Sequence, residues 1–140
     1  MKRTKVLVVI GIVLGLSWGI GFAGEKAPQK VVDLASAELV ALGTDPVIVE
    51  AVKAENAKGK DLDQIKAMDE KWQATAGVAD FMQALMDNDC GKYLKSKQES
   101  APYYVEIFVM DNQGALVALT DKTSDYWQGD EAKFTESYKD

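Results

Sequence analysis

The sequence predicts an α+β fold in which N-terminal helices pack on an antiparallel sheet, of which only the first hairpin is evident. Three observations carry this reading. Apolar residues recur at helical spacing from Val31 to Leu85. The period changes after Pro102 to a run rich in aromatic and β-branched residues. Asp111-Asn112-Gln113-Gly114 then breaks that run as a turn before a second apolar stretch.

The first residues read as targeting. Lys2, Arg3 and Lys5 precede an uncharged apolar run from Val6 to Ala23, and a polar stretch opens at Glu25. A positive start, an apolar middle and small residues at a cleavage point form a secretory signal. Gly21-Phe22-Ala23 predicts cleavage after Ala23, leaving residues 24–140 as one domain. The competing reading is an uncleaved anchor over residues 6–23, since 18 residues nearly span the hydrocarbon core. Gly11, Gly15, Gly19 and Gly21 weaken that run as a permanent helix. No Cys follows it to carry a lipid.

Val31, Leu34, Ala35, Glu38, Leu39 and Leu42 mark the first helix of the domain, which Gly43 interrupts. Thr44-Asp45-Pro46 supplies a cap and then Pro at the first helical position. Val47, Ile48, Ala51 and Val52 carry the stripe onward to Gly59. Asp61-Leu62-Asp63-Gln64 is a capping-box pattern, with Ile65, Met68 and Trp72 on the buried face behind it. After Gly77, a helix through Phe81, Met82 and Leu85 frays near Asp87-Asn88-Asp89. Only a short helical turn is expected beyond Gly91, at Tyr93 and Leu94.

The strands are expected at Tyr103–Met110, with Glu106 the sole charge, and at Ala115–Thr120. Both faces of this hairpin are apolar, so it should be covered on both sides or lie centrally in a sheet. A polar loop follows from Asp121 to Gly129, and Asp130 is placed to cap a last short helix holding Phe134 and Tyr138.

Composition narrows the chemistry. The 140 residues include no His and one Cys. Ser-His-Asp and Cys-His units, His-ligated zinc and an intramolecular disulfide are therefore excluded. The net charge is −6, and without the three cations of residues 1–23 it is −9, with 13 Lys and Arg against 22 Asp and Glu. Such a chain is a poor partner for nucleic acid or anionic lipid. Cys90 reads as a small, partly buried side chain near a helix end, with a disulfide between two chains as the alternative. Asp87-Asn88-Asp89 lacks the Gly and distal Glu of a calcium loop. Phosphate loops and nucleophile elbows are absent. Carboxylate pairs such as Asp87/Asp89 or Asp125/Asp130 would be an enzyme's only resources, so neither catalysis nor a cofactor is expected.

The stretch Glu106-Ile-Phe-Val-Met-Asp-Asn-Gln-Gly-Ala-Leu-Val-Ala-Leu-Thr120, followed by Thr123-Ser-Asp-Tyr-Trp-Gln-Gly-Asp-Glu131, resembles the Cache domains, also called PDC sensor domains. These are extracytoplasmic ligand-binding modules of bacterial sensor kinases and chemoreceptors. Asp45-Pro46, Glu50-Ala51-Val52 before Asn56, and Leu62 through Ile65 to Asp69 and Trp72 fit the same pattern, so the likeness spans roughly residues 30–138. The resemblance implies a long helix beside an antiparallel PAS-like sheet, with a small-molecule pocket on one sheet face. It implies amino acids, amines or small carboxylates as ligands, with Tyr126 and Trp127 as wall and hydrogen-bonding tip. Trp127 could equally plug a core, and Trp72 is expected there. Asp125 and Asp130 would receive an ammonium group or, as the favoured reading, hold the loop through backbone N–H bonds. Tyr104, Glu106 and Thr120 of the hairpin complete the candidate ligand set.

The family carries further strands where this chain ends at Asp140, so strand 103–110 is expected to present unpaired backbone groups on an apolar edge. The expected function is that of an exported periplasmic sensor module that binds a small molecule without chemistry. It would work with a membrane receptor or as a homodimer, with no membrane insertion after cleavage. The alternative is an interaction module docking through the strand edge or its acidic helices.

Overall fold

The computed structural model describes residues 28–138. The expected signal peptide at 1–23 and the alternative anchor at 6–23 lie outside the described residues. The described residues open with α1 (Gln29–Leu34), a π-helical turn (Ala35–Leu39) and α2 (Val40–Gly43), which follow one another without a break. Next come α3 (Pro46–Ala57), α4 (Leu62–Ala74), α5 (Asp80–Asp87) and α6 (Asp89–Ser100). Strands β1 (Phe108–Met110) and β2 (Leu116–Leu119) and a short α7 (Ala132–Thr135) complete an α+β fold. No helix among the described residues is long and apolar enough to cross a membrane.

The caps form where the residue types call for them. The Asp45 carboxylate accepts the Val47 N–H at 2.9 Å, with Pro46 at the first helical position of α3. At α4 the capping box closes both ways: Gln64 N–H to Asp61 Oδ1 at 2.8 Å, and Asp61 N–H to Gln64 Oε1 at 3.0 Å.

Beyond Gly91 the expectation of a single turn is wrong, because α6 runs for 12 residues. Asn88 is the reason it starts. Its side chain accepts the Gly91 N–H at 2.7 Å, while its amide donates to the Val117 carbonyl at 3.0 Å and ties the cap to β2. Gly91 does not break this helix; it lets α5 approach. A Cβ there would lie 2.3 Å from the Met86 carbonyl oxygen and 2.5 Å from that of Leu85.

The strands pair antiparallel, with Phe108 opposite Leu119, Val109 opposite Ala118 and Met110 opposite Leu116. Val117 is therefore the extra residue of a bulge. The expected turn is present: Asp111 Oδ1 accepts the N–H groups of Gln113 (2.9 Å) and Ala115 (3.0 Å). Gly114 has φ +84°, and a Cβ on it would meet Gly129 Cα at 2.4 Å, so only glycine fits.

Both strands are shorter than expected. Thr120 N–H still donates to the Ile107 carbonyl at 2.9 Å, but the Ile107 N–H donates to the Thr120 hydroxyl oxygen at 3.1 Å, so the last rung is closed half by a side chain. Ahead of it, Tyr104 N–H bonds the Ala101 carbonyl in a turn around Pro102. Among the described residues β1 pairs with β2 alone, and its residues Phe108, Val109 and Met110 are at most 3% exposed, so the outer edge of β1 is shielded from solvent but not strand-paired.

The hairpin is covered on both faces, as its two apolar faces require. Phe108, Met110, Leu116 and Leu119 pack with Ile65 and Trp72 of α4, Met82 of α5 and Phe134 of α7. On the opposite face, Ile107, Val109, Val117 and Ala118 meet Leu42, Ile48 and Val52 of α2 and α3 and Cys90 and Leu94 of α6. Cys90 is more deeply buried than expected, and burial pushes its thiol up to about 11. Trp72 is fully buried, as expected.

Candidate functional site

The seven candidate residues fall in three separate places. The loop carrying Asp125, Tyr126, Trp127 and Asp130 is built into the fold. Its backbone extends the hairpin on the far side of β2: Leu116 N–H donates to the Tyr126 carbonyl at 3.1 Å and Gln128 N–H to that of Gly114 at 2.8 Å. Ala115 and Trp127 form a β-bridge between them.

One carboxylate of α4 anchors this segment. Asp69 Oδ1 accepts the N–H groups of both Tyr126 (2.7 Å) and Trp127 (3.0 Å). Trp72 donates its indole N–H to the Thr123 carbonyl at 2.9 Å, and Trp127 donates its own to the Gln113 carbonyl at 2.8 Å. The buried Tyr126 ring lies 5.9 Å from Trp72, and its hydroxyl is 2.7 Å from the Lys60 ammonium. Lys60 also pairs with Glu55 at 2.6 Å. Burial works against the Lys60 charge, but the Glu55 and Tyr126 bonds outweigh it and hold its pKa above the ordinary lysine value.

Asp125 and Asp130 do not hold the loop through their carboxylates. It is the main-chain carbonyl of Asp125 that accepts from Thr123 Oγ1 (2.7 Å) and Gln128 Nε2 (2.8 Å), while its carboxylate takes only the neighbouring Ser124 hydroxyl. Asp130 is exposed and does not cap α7; Glu131 occupies the N-cap position, without a side-chain cap bond. Four cavities of about 230–600 Å³ among the described residues are lined without Tyr126, Trp127, Asp125 or Asp130.

Thr120 and Glu106 lie toward the end of the hairpin. Thr120 is buried, and besides holding Ile107 it walls a cavity of about 230 Å³ with Gly91, Lys92 and Lys95. Glu106 is half-buried, and its Oε1 has no hydrogen-bond partner. Burial, with the nearby charge of Asp121, lifts its carboxyl above the usual range.

Tyr104 stands at a third place, where a cavity of about 280 Å³ opens between α2, the start of α3 and the C-terminal half of α6. Its polar walls are Glu38, Asp45, Tyr93, Lys97 and Ser100. Glu38 belongs to the π turn, a rare element that often occurs at functional positions. Its Oε2 accepts the hydroxyls of Tyr103 (2.8 Å) and Tyr104 (2.9 Å), and its Oε1 has no protein partner among the described residues. Asp45 serves the cavity as well as the helix, since Oδ2 accepts the Tyr93 hydroxyl at 2.6 Å.

These phenols are firmly protonated: burial, and then the adjacent carboxylates, push both Tyr93 and Tyr104 up to about 12. The Tyr93 hydroxyl and the Val47 N–H in turn hold Asp45 below its ordinary value, so it stays charged. Lys97 lies 5.0 Å from the Tyr93 ring centre and makes no ion pair among the described residues. The cavity thus brings together the carboxylates of Glu38 and Asp45, the Lys97 ammonium, whose charge acts on Asp45, and the rings of Tyr93 and Tyr104.

Sequence reasoning named only Tyr104 of this set as a ligand residue. Glu38 stood as the one charge among residues at helical spacing, and it is exposed in the structure. Asp45 was absorbed by its capping role. Among the described residues no group of three or more His, Cys, Asp or Glu is placed to hold a metal ion. No protein-family model, no curated protein and no solved structure matches the chain.

Proposed function

We propose that the chain is an exported, periplasmic small-molecule-binding module of the Cache type, which acts by occupancy and carries out no chemistry. The observation that supports this most is the cavity beside Tyr104. Polar groups from four separated segments converge on it within an apolar and aromatic surround, the usual form of a small-ligand site. Amino acids, amines and small carboxylates match its groups, and a receptor in the membrane would read the occupied state. The Tyr126–Trp127 loop has a different part in this reading. It braces β2 against α4 and so fixes the hairpin that follows the turn carrying Tyr104.

A thermal-shift screen of amino acids, amines and short carboxylic acids tests the proposal. At least one compound should raise the melting temperature in a concentration-dependent way. A flat response across the screen at millimolar concentrations would remove it.

A second reading, a docking module for another protein, has one observation in its favour. An open groove of about 600 Å³ runs between α3 and α5, with Val47, Ala51 and Leu85 along it and Glu50 and Asp89 at its sides. Capture of a specific basic partner, combined with no response in the screen, would favour it.

A further inference from the structure

Helix α1 contributes no residue to either core layer of the molecule. None of its residues is buried, and none of the π turn is, although Val31 and Leu34 are apolar. Together with Ala37 they form the apolar wall of an open concavity of about 440 Å³, which the Tyr103 ring also lines. Lys30, Asp33 and Glu38 stand around it. An apolar helix face rimmed with charges calls for a second surface to cover it.

The charges along this face select the surface that covers it. Lys30, Leu34 and Glu38 follow one another at four-residue spacing, and the wider π turn keeps Glu38 above Leu34, so all three line the one concavity. Leu34 is thus flanked at equal distance by a cation and an anion. Lys30 makes no ion pair among the described residues. Glu38 Oε1 has no partner among them either, because both tyrosine hydroxyls bond Oε2. Laid antiparallel on its own copy about a two-fold axis at Leu34, the helix meets Lys30 with Glu38 of the second copy, and Val31 with Ala37 of the second copy, each pair occurring twice. Asp33, held by Gln29 at 2.7 Å, then faces Ala35 and no like charge. A parallel pairing would set Lys30 against Lys30 and Glu38 against Glu38, which repel.

We infer that α1 and the π turn form a self-complementary surface on which a second copy of this chain docks antiparallel, with Leu34 on the two-fold axis and a Lys30–Glu38 ion pair at each end. The inference goes beyond the binding function proposed above and does not depend on it. Tyr103, 37% exposed and bonded to Glu38 at 2.8 Å, offers its ring to the stem of the incoming Lys30. A pairing of about 10 residues from each copy is small, which places it among weak, reversible interfaces. Its ion pairs are exposed, so it weakens with salt.

The test is sedimentation equilibrium of protein purified from cells that express the full chain, over about 5–500 µM at low ionic strength. A reversible monomer–dimer equilibrium should appear in that range and shift toward monomer as salt is added. Lys30→Glu changes an exposed side chain and should raise the dissociation constant about tenfold or more, and Glu38→Lys should do the same. An equimolar mixture of the two variants brings opposite charges together at both ends, so it should associate within about threefold of the native chain. Far-UV circular dichroism confirms that each variant is folded; should Glu38→Lys fail to fold, Lys30→Glu alone decides. A monomer throughout the range, a dimer indifferent to Lys30→Glu, or a mixture no tighter than the single variants overturns the inference.

Discussion

Asp69 shows how much one side chain can hold. Its single oxygen satisfies two backbone N–H groups of a segment 57 and 58 residues away, and that segment forms the far edge of the hairpin. Asp69→Ala leaves two half-buried donors without a partner, which should cost about 2–3 kcal/mol by the price of unsatisfied groups. Asp69→Asn retains a carbonyl acceptor and should cost about half as much. Urea unfolding of the two variants checks the order, and equal losses would show that the bonds to Tyr126 and Trp127 carry little. Glu106 works in the opposite sense. Its folded pKa is raised above the ordinary 4.5, so its contribution to stability is fully present below that value and is lost as pH rises through the folded one. Glu106→Gln should therefore be more stable than the native chain at pH 7, by under about 1 kcal/mol for a half-buried group. Below about pH 4 the difference should vanish. Melting curves across pH 4–8 measure it, and a loss of stability at pH 7 would contradict the account.

At the scale of elements, what was legible in the sequence was what local chemistry decides. Asp45-Pro46 and Asp61 with Gln64 cap their helices because those side chains reach only two or three residues along the chain. The Asp111–Gly114 turn followed for the same reason. Helix α6 did not, because Gly91 stands in it for a reason that lies in α5. A glycine reads as a breaker from sequence, yet here it is required by two carbonyl oxygens of the preceding helix. Gly91→Ala should gain up to about 1 kcal/mol in helix propensity and lose more to the clash, for a net cost of about 2–4 kcal/mol. Denaturant titration checks this, and a neutral or stabilising result would mean that α5 and α6 are not so closely packed. The loop from Asp121 to Gly129 was legible as a loop, but its anchoring was not. Its polar residues suggest no structure, while its backbone pairs with β2 because Asp69 and Trp72 hold it there.

For the molecule as a whole, the hairpin lies between two helical layers, and its coverage on both faces followed from its apolar residues. The cavity did not follow, because its walls come from positions 38, 45, 93–100 and 104, and nothing local brings these together. Only Tyr104 was named in advance, and of the loop residues named with it Tyr126 and Trp127 turn out to brace the fold. Occupancy of the cavity would join α2, α3 and α6, three elements that meet at this one corner. The most direct test is therefore to locate the ligand. Amide spectra of ¹⁵N-labelled protein, titrated with the strongest compound of the screen, should shift around Glu38–Asp45 and Tyr93–Tyr104 while Ser124–Glu131 stays in place. Shifts confined to Ser124–Glu131, with residues 38–45 and 93–104 unmoved, would contradict the account.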